Sequence, residues 1–280
     1  MVTLSELLRA GRERLMRCGN DNARFEAECL LQMATGADKL RLLTEPQLEA
    51  SSEQAAAFEV LLERRVSGEP LQYILGEWEF YGLPFKVGEG VLIPRQDTET
   101  LVELALGQQT DGKQCADLCT GSGCIGITLA KEGSFKVDCY ELSDKAFTYL
   151  TENIRLNGVQ NSVRAIQADV LSEAALNDAP MYDVIVSNPP YLTAQDMREL
   201  ETEVTHEPEM ALFGGEDGLD FYRRIVSLWV NKLSHGGLFA VEIGMGQEED
   251  VMRIFRENGL AADCIKDQCG IYRVVYGKRI

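Results

Sequence analysis

Over residues 1–70, apolar positions recur every three to four residues, as in amphipathic helices that share a core. Four helices are predicted there, beginning at the capping box of Thr3 with Glu6, at Asp21 or Asn22, at Asp38, and at the capping box of Ser51 with Gln54. In the fourth helix, the charged run Glu63-Arg64-Arg65 is predicted to face solvent. Residues 1–70 should therefore form a small helical bundle, a module that usually serves structure or partner binding.

A short strand pair is predicted after the bundle. Over residues 72–87, aromatic and β-branched residues alternate around Tyr81-Gly82-Leu83-Pro84, a pattern typical of a hairpin. We expect residues 71–90 to link the bundle to the rest of the chain. Further on, Asp97-Thr98-Glu99 supplies N-cap oxygens and an acidic first turn for a helix.

From Lys113 onward, strand and helix patterns alternate, which is typical of a parallel sheet with crossover helices. Strands are predicted over residues 114–118, 135–140, 163–168, 184–186, 238–243, 261–266 and 271–276, with a long loop over 192–218 and a helix over 219–233. The last two strands should be antiparallel neighbours, because residues 267–270 between them are too few for a crossover helix. The predicted fold class is α/β: a Rossmann-like sheet domain over 91–280, mostly parallel with one antiparallel strand, preceded by the helical domain.

One of these strands ends abruptly at Asn188-Pro189-Pro190-Tyr191, because the two prolines lack the N–H groups that continue a ladder. Ligands of open α/β sheets bind beyond the carboxyl ends of the strands, so this tetrapeptide is a candidate site. The Asn188 side-chain oxygen and the Pro189 carbonyl are both acceptors, and together they match the two N–H bonds of a planar amino group. The same residues also fit an ordinary turn, and the tetrapeptide alone does not decide between the two.

A glycine-rich loop, Cys119-Thr120-Gly121-Ser122-Gly123, separates a predicted strand from a predicted helix. Glycines let the backbone approach a ligand closely, and the start of a helix offers free N–H groups. Glu141 ends the next strand, where an acid is placed to accept hydrogen bonds from ribose hydroxyls, and Asp169 follows a later strand in the same way. These residues predict a nucleoside cofactor.

The identity of that nucleoside has two readings. Gly121-x-Gly123-x-x-Gly126 matches the dinucleotide fingerprint, which keeps an NAD-dependent dehydrogenase, or a module that only senses a nucleoside, open. Asp117 and Thr120, however, place polar groups where a pyrophosphate would prefer none, and no hydride-transfer constellation follows. S-adenosylmethionine is therefore favoured over NAD.

Composition restricts partners and compartment. The 45 acidic residues against 27 Lys and Arg give a formal charge of −18, which disfavours a partner held mainly by its phosphates. The amino-terminal segment lacks the apolar core of a signal peptide and no apolar stretch of about 18 residues occurs, so we expect a cytoplasmic enzyme with no membrane partner. The eight cysteines form no C-x-x-C pair and are accompanied only by His206 and His235, so we expect neither a metal site nor a disulfide.

Several motifs together resemble known enzymes. Asp117-Leu118-x-Thr120-Gly121-Ser122-Gly123, Glu141 and Asn188-Pro189-Pro190-Tyr191 resemble class I S-adenosylmethionine-dependent methyltransferases that act on amino groups, including those of DNA and RNA. Three more resemble the bacterial peptide chain release factor glutamine N5-methyltransferases: Pro70-Leu71-Gln72-Tyr73-Ile74-Leu75-Gly76, Ile93-Pro94-Arg95-x-x-Thr98-Glu99, and His206-Glu207-Pro208 with Ala211-Leu212-x-Gly214-Gly215-x-Asp217-Gly218. This second resemblance spans nearly the whole chain, which makes it the more specific one.

The resemblance implies a seven-stranded methyltransferase sheet and a helical domain that helps to bind the release factor, whose Gly-Gly-Gln glutamine would be the substrate. It implies S-adenosylmethionine as the cofactor. We also expect a monomer with no direct nucleic-acid partner. The cofactor would be held by Asp117, Cys119, Thr120, Gly121, Ser122, Gly123, Glu141, Asp169, Val170 and Asn188. The glutamine amide would be held by Asn188, Pro189, Pro190 and Tyr191, with Asn188, Pro189 and Tyr191 in catalytic roles. Cys119 replaces the usual Gly and Glu141 the usual Asp, and neither change removes a required group.

Overall fold

Packing divides the protein into a helical unit and a sheet unit. The computed structural model describes residues 2–108 and 112–279. The helical unit extends to Gly76 and includes Thr202–His206, while the sheet unit holds Glu77–Glu201 and the chain from Glu207 onward. Within the described residues, no helix has the length and apolar character needed to cross a bilayer.

The helical unit confirms the four predicted helices, although Asn22 makes no side-chain cap hydrogen bond at the start of the second. Its helices are α1 Leu4–Arg17, α2 Ala23–Thr35, α3 Lys39–Thr44, α4 Ser52–Val66 and α5 Leu71–Leu75. Both capping boxes are formed, because Thr3 and Ser51 each accept from the backbone N–H three residues on while the side chain there reaches back. The buried core includes Leu15, Leu30, Leu31, Phe58 and Leu62.

The predicted solvent exposure of Glu63-Arg64-Arg65 is wrong at Arg65. Its side chain is 6% exposed, and its Nε donates to Glu26 Oε2 at 2.6 Å. The reason is helical spacing, since Arg65 follows Phe58 and Leu62 on the face of α4 that points into the core. A buried guanidinium needs an anionic partner, and Glu26 provides one.

The predicted hairpin is confirmed in the sheet unit, with β1 at Glu77–Phe80 and β2 at Leu83–Lys86. Tyr81 and Gly82 form its two-residue turn, and both have positive φ, 53° and 72°. Such turns match the twist of the strands that they connect. The residues before Gly76, which the sequence pattern placed in the hairpin region, form α5 instead.

The predicted sheet is confirmed, including its one reversed strand. Its strands are β3 Gln114–Leu118, β4 Lys136–Glu141, β5 Val163–Gln167, β6 Tyr182–Ser187, β7 Leu233–Glu242, β8 Leu260–Lys266 and β9 Tyr272–Arg279. They lie in the order β5-β4-β3-β6-β7-β9-β8, and β9 runs antiparallel to both of its neighbours. The chain therefore reverses its direction of winding between β3 and β6, the switch point where α/β sheets bind ligands.

Helices cover both faces of this sheet. They are α6 Glu99–Leu106, α7 Cys124–Gly133, α8 Asp144–Leu156, α9 Asp220–Trp229 and α10 Glu248–Glu257. One core lies under α6, α7 and α8, and the other lies under α9 and α10. The helix predicted over 219–233 ends early, because Leu233 is fully buried and pairs with Tyr182 as the start of β7.

The predicted capping by Asp97-Thr98-Glu99 is wrong in its chemistry. A 3-10 turn, Gln96–Thr98, precedes α6, and the Thr98 side chain makes no cap hydrogen bond. Its hydroxyl donates instead to Glu242 at the end of β7, 2.6 Å away. The Thr98 hydroxyl, which the local pattern assigned to the helix cap, therefore bonds to Glu242 on a distant strand.

Candidate active site

The carboxyl ends of β3, β4 and β6 open onto a cavity of about 200 Å³. Nine of the predicted site residues line it: Cys119, Thr120, Gly121, Ser122, Glu141, Asp169, Val170, Asn188 and Pro190. Four others, Asp117, Gly123, Pro189 and Tyr191, are outside its lining. The residues brought together come from loops that follow separate strands, as the switch-point rule requires.

The glycine loop has a conformation that side chains resist. Gly121 and Gly123 have φ of 57° and 84°, in the left-handed region. A Cβ on Gly123 would lie 2.6 Å from Leu150 Cδ1, whereas one on Gly121 would have only Val91 Cγ2 near it, at 4.0 Å. The loop therefore fits a ligand that comes close to Gly121. Cys119 also has a positive φ, 59°, which explains physically why glycine suits its position.

Asp117 supports the loop from behind. It is fully buried, and its Oδ2 accepts from the Thr120 hydroxyl and, at 2.9 Å, from the Gly126 N–H. Its Oδ1 has no hydrogen-bond partner among the described residues. Burial raises the pKa of Asp117 to about 7. Asp117 therefore shapes the loop and the start of α7.

Glu141 ties the loop to the next strand. Its Oε2 accepts from the Gly121 N–H at 2.8 Å, and its Oε1 accepts from the N–H groups of Leu142 and Ser143 at 2.9 and 2.8 Å. The longer side chain lets one carboxylate bridge both segments. Since each carboxylate oxygen has two lone pairs, Glu141 keeps acceptor capacity toward the cavity.

Polar groups and apolar walls alternate around the rest of the cavity. Asp169 Oδ1 accepts from the Leu171 N–H at 2.9 Å, which leaves Oδ2 as a further acceptor at the lining. The apolar wall includes Val170, Met210 and Phe221. A cavity lined by the acceptors of Glu141 and Asp169 and by apolar side chains has the donor and acceptor set of a nucleoside site.

The Asn188 amide is held at one end only. Its Nδ2 donates to Thr98 Oγ1 at 3.4 Å, and both residues line the cavity. No donor among the described residues reaches Asn188 Oδ1 or the Pro189 carbonyl. The two acceptors identified in the sequence thus keep their capacity for an incoming N–H group.

Tyr191, the last residue of the tetrapeptide, is held by the core. Its carbonyl accepts from Gln247 Nε2 at 3.0 Å, and its ring packs with the core under α9 and α10. Burial, with Glu242 nearby, raises the pKa of its phenol above the ordinary value. This placement gives Tyr191 a supporting position, away from the cavity lining.

Sequence reasoning missed the partnership of Arg95 and Glu207. Glu207 is 6% exposed and accepts from the Ile93 N–H at 3.1 Å and from the Arg95 guanidinium, which lines the cavity. The partners are 112 residues apart, so no local pattern connects them. The sequence indicated only that Arg95 lies in a non-helical segment and that Glu207 is an acid in a loop, which does not show that the two residues meet. His206, the neighbour of Glu207, belongs to the helical unit.

Comparisons with known proteins identify relatives of both parts of the chain. Residues 6–76 match the family model of the PrmC N-terminal domain, and residues 96–213 match that of the methyltransferase small domain. The release factor glutamine methyltransferase of Clostridium botulinum is 37% identical over 99% of this chain and 100% of its own length. That of Geobacter sulfurreducens is 41% identical over 99% of this chain and 96% of its own.

Solved structures show the same fold at lower identity. A methyltransferase from Pyrococcus furiosus has a TM-score of 0.54 at 18% identity, covering 72% of this chain and 91% of that one. The hMettl16 catalytic domain has a TM-score of 0.57 at 15% identity, covering 81% and 82%. The similarity to these structures shows the fold alone. The similarity to the two release factor glutamine methyltransferases extends over nearly the whole chain. The chain belongs to the release factor glutamine methyltransferase family.

Proposed function

We propose that this protein transfers a methyl group from S-adenosylmethionine to the side-chain amide nitrogen of the glutamine in the Gly-Gly-Gln loop of a peptide chain release factor. One observation carries the proposal: in a chain of this family, no donor among the described residues reaches the Oδ1 of Asn188, which lines the cavity at the switch point, or the carbonyl of the adjacent Pro189. We place the reaction in the cytoplasm and assign it to a monomer, in keeping with the sequence expectations.

The cofactor would lie along the cavity. The loop backbone at Gly121 would lie against it, Glu141 would accept from ribose hydroxyls, and Asp169 with Val170 would lie along the adenine. When bound, S-adenosylmethionine supplies a methyl group on a positively charged sulfur. Asp117 would act from behind, by keeping the loop in its left-handed conformation.

The acceptors at Asn188 and Pro189 would compensate for the low nucleophilicity of the substrate nitrogen. An amide nitrogen is a poor nucleophile because its lone pair is delocalised into the carbonyl. Acceptors on its two hydrogens fix the nitrogen and stabilise the positive charge that develops as the N–C bond forms and the S–C bond breaks. The methylated nitrogen then loses one proton to water, so no strong base is needed. Pro190 and Tyr191 would keep this segment in place.

The alternatives have specific weaknesses. A pyrophosphate would need free N–H groups at the start of α7, but that of Gly126 is bound to Asp117. Amino-methylation of nucleic acid shares the chemistry, but the formal charge of −18 opposes a polyanion. Release factor glutamine is the acceptor that fits both the site and the family.

The test is transfer of radiolabelled methyl from S-adenosylmethionine. The enzyme should label unmethylated release factor, and should fail to label the same factor with its Gly-Gly-Gln glutamine replaced by alanine. DNA and RNA in parallel reactions should stay unlabelled. Label in nucleic acid, or equal label in both forms of the factor, would refute the assignment, and calorimetric binding of NAD in place of S-adenosylmethionine would refute the cofactor.

A further inference from the structure

Two residues behind Asn188 control a property that its position alone leaves open, namely which end of its amide faces the cavity. We propose that Glu242, acting through the Thr98 hydroxyl, orients the Asn188 amide so that its oxygen meets the substrate. The inference rests on the proposed function, because it concerns how the same acceptor is held. Glu242 and Thr98 are positioning residues in this scheme.

The three groups form a chain of hydrogen bonds from the core to the cavity. Thr98 Oγ1 donates to Glu242 Oε2 at 2.6 Å and accepts from Asn188 Nδ2 at 3.4 Å. Thr98 and Glu242 are each 2% exposed, so water does not compete for these bonds. The chain joins residues 144 and 90 positions apart, and among the described lining residues it ends at the one with a side-chain amide, Asn188.

The direction of the chain follows from the donors available. An ionised carboxylate only accepts, so beside ionised Glu242 the single hydroxyl hydrogen of Thr98 points to Glu242. The lone pair of Thr98 then faces Asn188, and Asn188 must present its NH2 group there. Its oxygen is turned to the other side. With the amide reversed, the NH2 group would confront the N–H groups of the substrate, and the acceptor would be lost.

Protonation of Glu242 removes this constraint. A carboxylic acid can donate to Thr98, whose own hydrogen is then free to point at Asn188 and to hold the amide in the reversed orientation. Burial is the main cause that raises the pKa of Glu242 to about 7, against the hydrogen bond from Thr98. The orientation of the amide should therefore weaken as the pH falls through neutrality.

Charged and titratable groups from several elements surround Glu242. Arg273 of β9 and Arg95 lower the pKa of Glu242, and Asp97 raises it. Tyr191, Tyr222 and Cys124 also face it, and the Tyr222 hydroxyl donates to the Glu242 carbonyl at 3.0 Å. The pKa values of those two phenols and of the thiol are raised, so these groups stay neutral near pH 7. Glu242 is then the group of this set that changes charge there.

The test uses Thr98→Val, which keeps the shape and removes the hydroxyl, and Thr98→Ser, which restores it. With saturating S-adenosylmethionine, Thr98→Val should lower kcat for the release factor roughly tenfold or more. Its Kd for S-adenosylmethionine, measured by calorimetry, should stay within about twofold of the wild-type value, which also shows that the fold is intact. Thr98→Ser should recover most of kcat. Thr128→Val is the matched control, because it also removes a buried hydroxyl, one bonded within α7, and should leave kcat unchanged.

The pH profile of kcat separates orientation from mere packing. Wild-type kcat should fall between pH 8 and pH 6, whereas Thr98→Val and Glu242→Gln should lose this acid limb because no titration reaches Asn188. Asp117 also has a pKa of about 7, but it acts on the cofactor loop and its effect should appear in KM for the cofactor. Unchanged kcat in Thr98→Val, or a reduced kcat with the wild-type acid limb, would overturn the inference. If wild-type enzyme fails to methylate the factor, the proposed function itself fails.

Discussion

In the proposed function, substrate binding and activation both depend on Asn188 Oδ1, which no donor among the described residues reaches. We predict that Asn188→Ala lowers kcat by roughly 10²-fold or more, because a hydrogen bond that strengthens in the transition state is lost. Affinity for S-adenosylmethionine should change little, as measured by calorimetry. Asn177→Ala, which removes the same group from an exposed position, is the control and should keep wild-type turnover. Normal turnover in Asn188→Ala would contradict the assigned role.

Gly121 tests the cofactor loop, because its missing side chain leaves room on the cavity side. We predict that Gly121→Val abolishes binding of S-adenosylmethionine in calorimetry, since the new side chain occupies the space of the ligand and opposes the positive φ. Gly158→Val is a matched control, because Gly158 has a φ of 69° and no atom within 4 Å of an added Cβ. The Gly158→Val variant should bear the same backbone strain and bind S-adenosylmethionine normally. Equal loss of binding in both variants would attribute the effect to strain.

At the scale of elements, α4 carries a buried charge that the helical unit depends on. We predict that Arg65→Ala lowers the free energy of unfolding by about 3–5 kcal/mol, because it leaves the Glu26 carboxylate buried without its arginine, with the neutral Asn20 amide as its remaining side-chain donor. Arg64→Ala should cost less than about 1 kcal/mol, because its pair with Glu69 is 41% exposed at the arginine. Urea denaturation followed by circular dichroism measures both. Similar losses in the two variants would show that burial of Arg65 is not the cause.

Elements were predictable from the sequence where their determinants are local. The capping boxes at Thr3 and Ser51 each involve residues three positions apart, and β8 and β9 are joined by too short a link for a crossover. The glycine loop and the tetrapeptide at Asn188 were found for the same reason, since each is contiguous. Buried Arg65 was assigned to the surface because charge was given more weight than its helical spacing.

Pairings between distant segments were beyond reach from one sequence. Arg65 meets Glu26, Arg95 meets Glu207, and Thr98 meets Glu242 over separations of 39, 112 and 144 residues. Local rules assigned Arg65 to solvent and Thr98 to a helix cap, and they left the role of Arg95 open. In the structure each of these side chains bonds to its distant partner instead. Asp117, predicted to contact the cofactor, has local partners instead: its Oδ2 accepts from Thr120 and Gly126, which places it behind the loop.

At the scale of the whole molecule, similarity to the relatives covers both units. The division into domains at 1–70, 71–90 and 91–280 remains a proposal, since packing alone does not show which segments fold independently. Six of the described exposed large apolar side chains lie in the helical unit: Met16, Phe25, Met33, Leu40, Leu43 and Val60. Apolar surface on that unit supports the proposal that it binds the release factor.

The free cysteines are distributed over very different surroundings. Cys18 and Cys269 are exposed, whereas Cys119 and Cys124 line the cavity. Burial raises the pKa of Cys124 to about 12 and that of Cys119 above its ordinary value, so both lack the reactive thiolate form near neutral pH. We predict that iodoacetamide modifies Cys18 and Cys269 much faster, as followed by mass spectrometry of peptides. Equal rates at all four would contradict the lower exposure and raised pKa values of the cavity thiols.

The unusual Cys119 therefore gives this protein an intrinsic footprinting probe. Cys119 lies on the cavity lining with intermediate exposure, so its alkylation rate reports how accessible that lining is to the reagent. Saturation with S-adenosylmethionine should slow that rate further while leaving Cys18 unaffected. Occupancy of the site can then be followed by covalent labelling alone, without a release factor or any turnover.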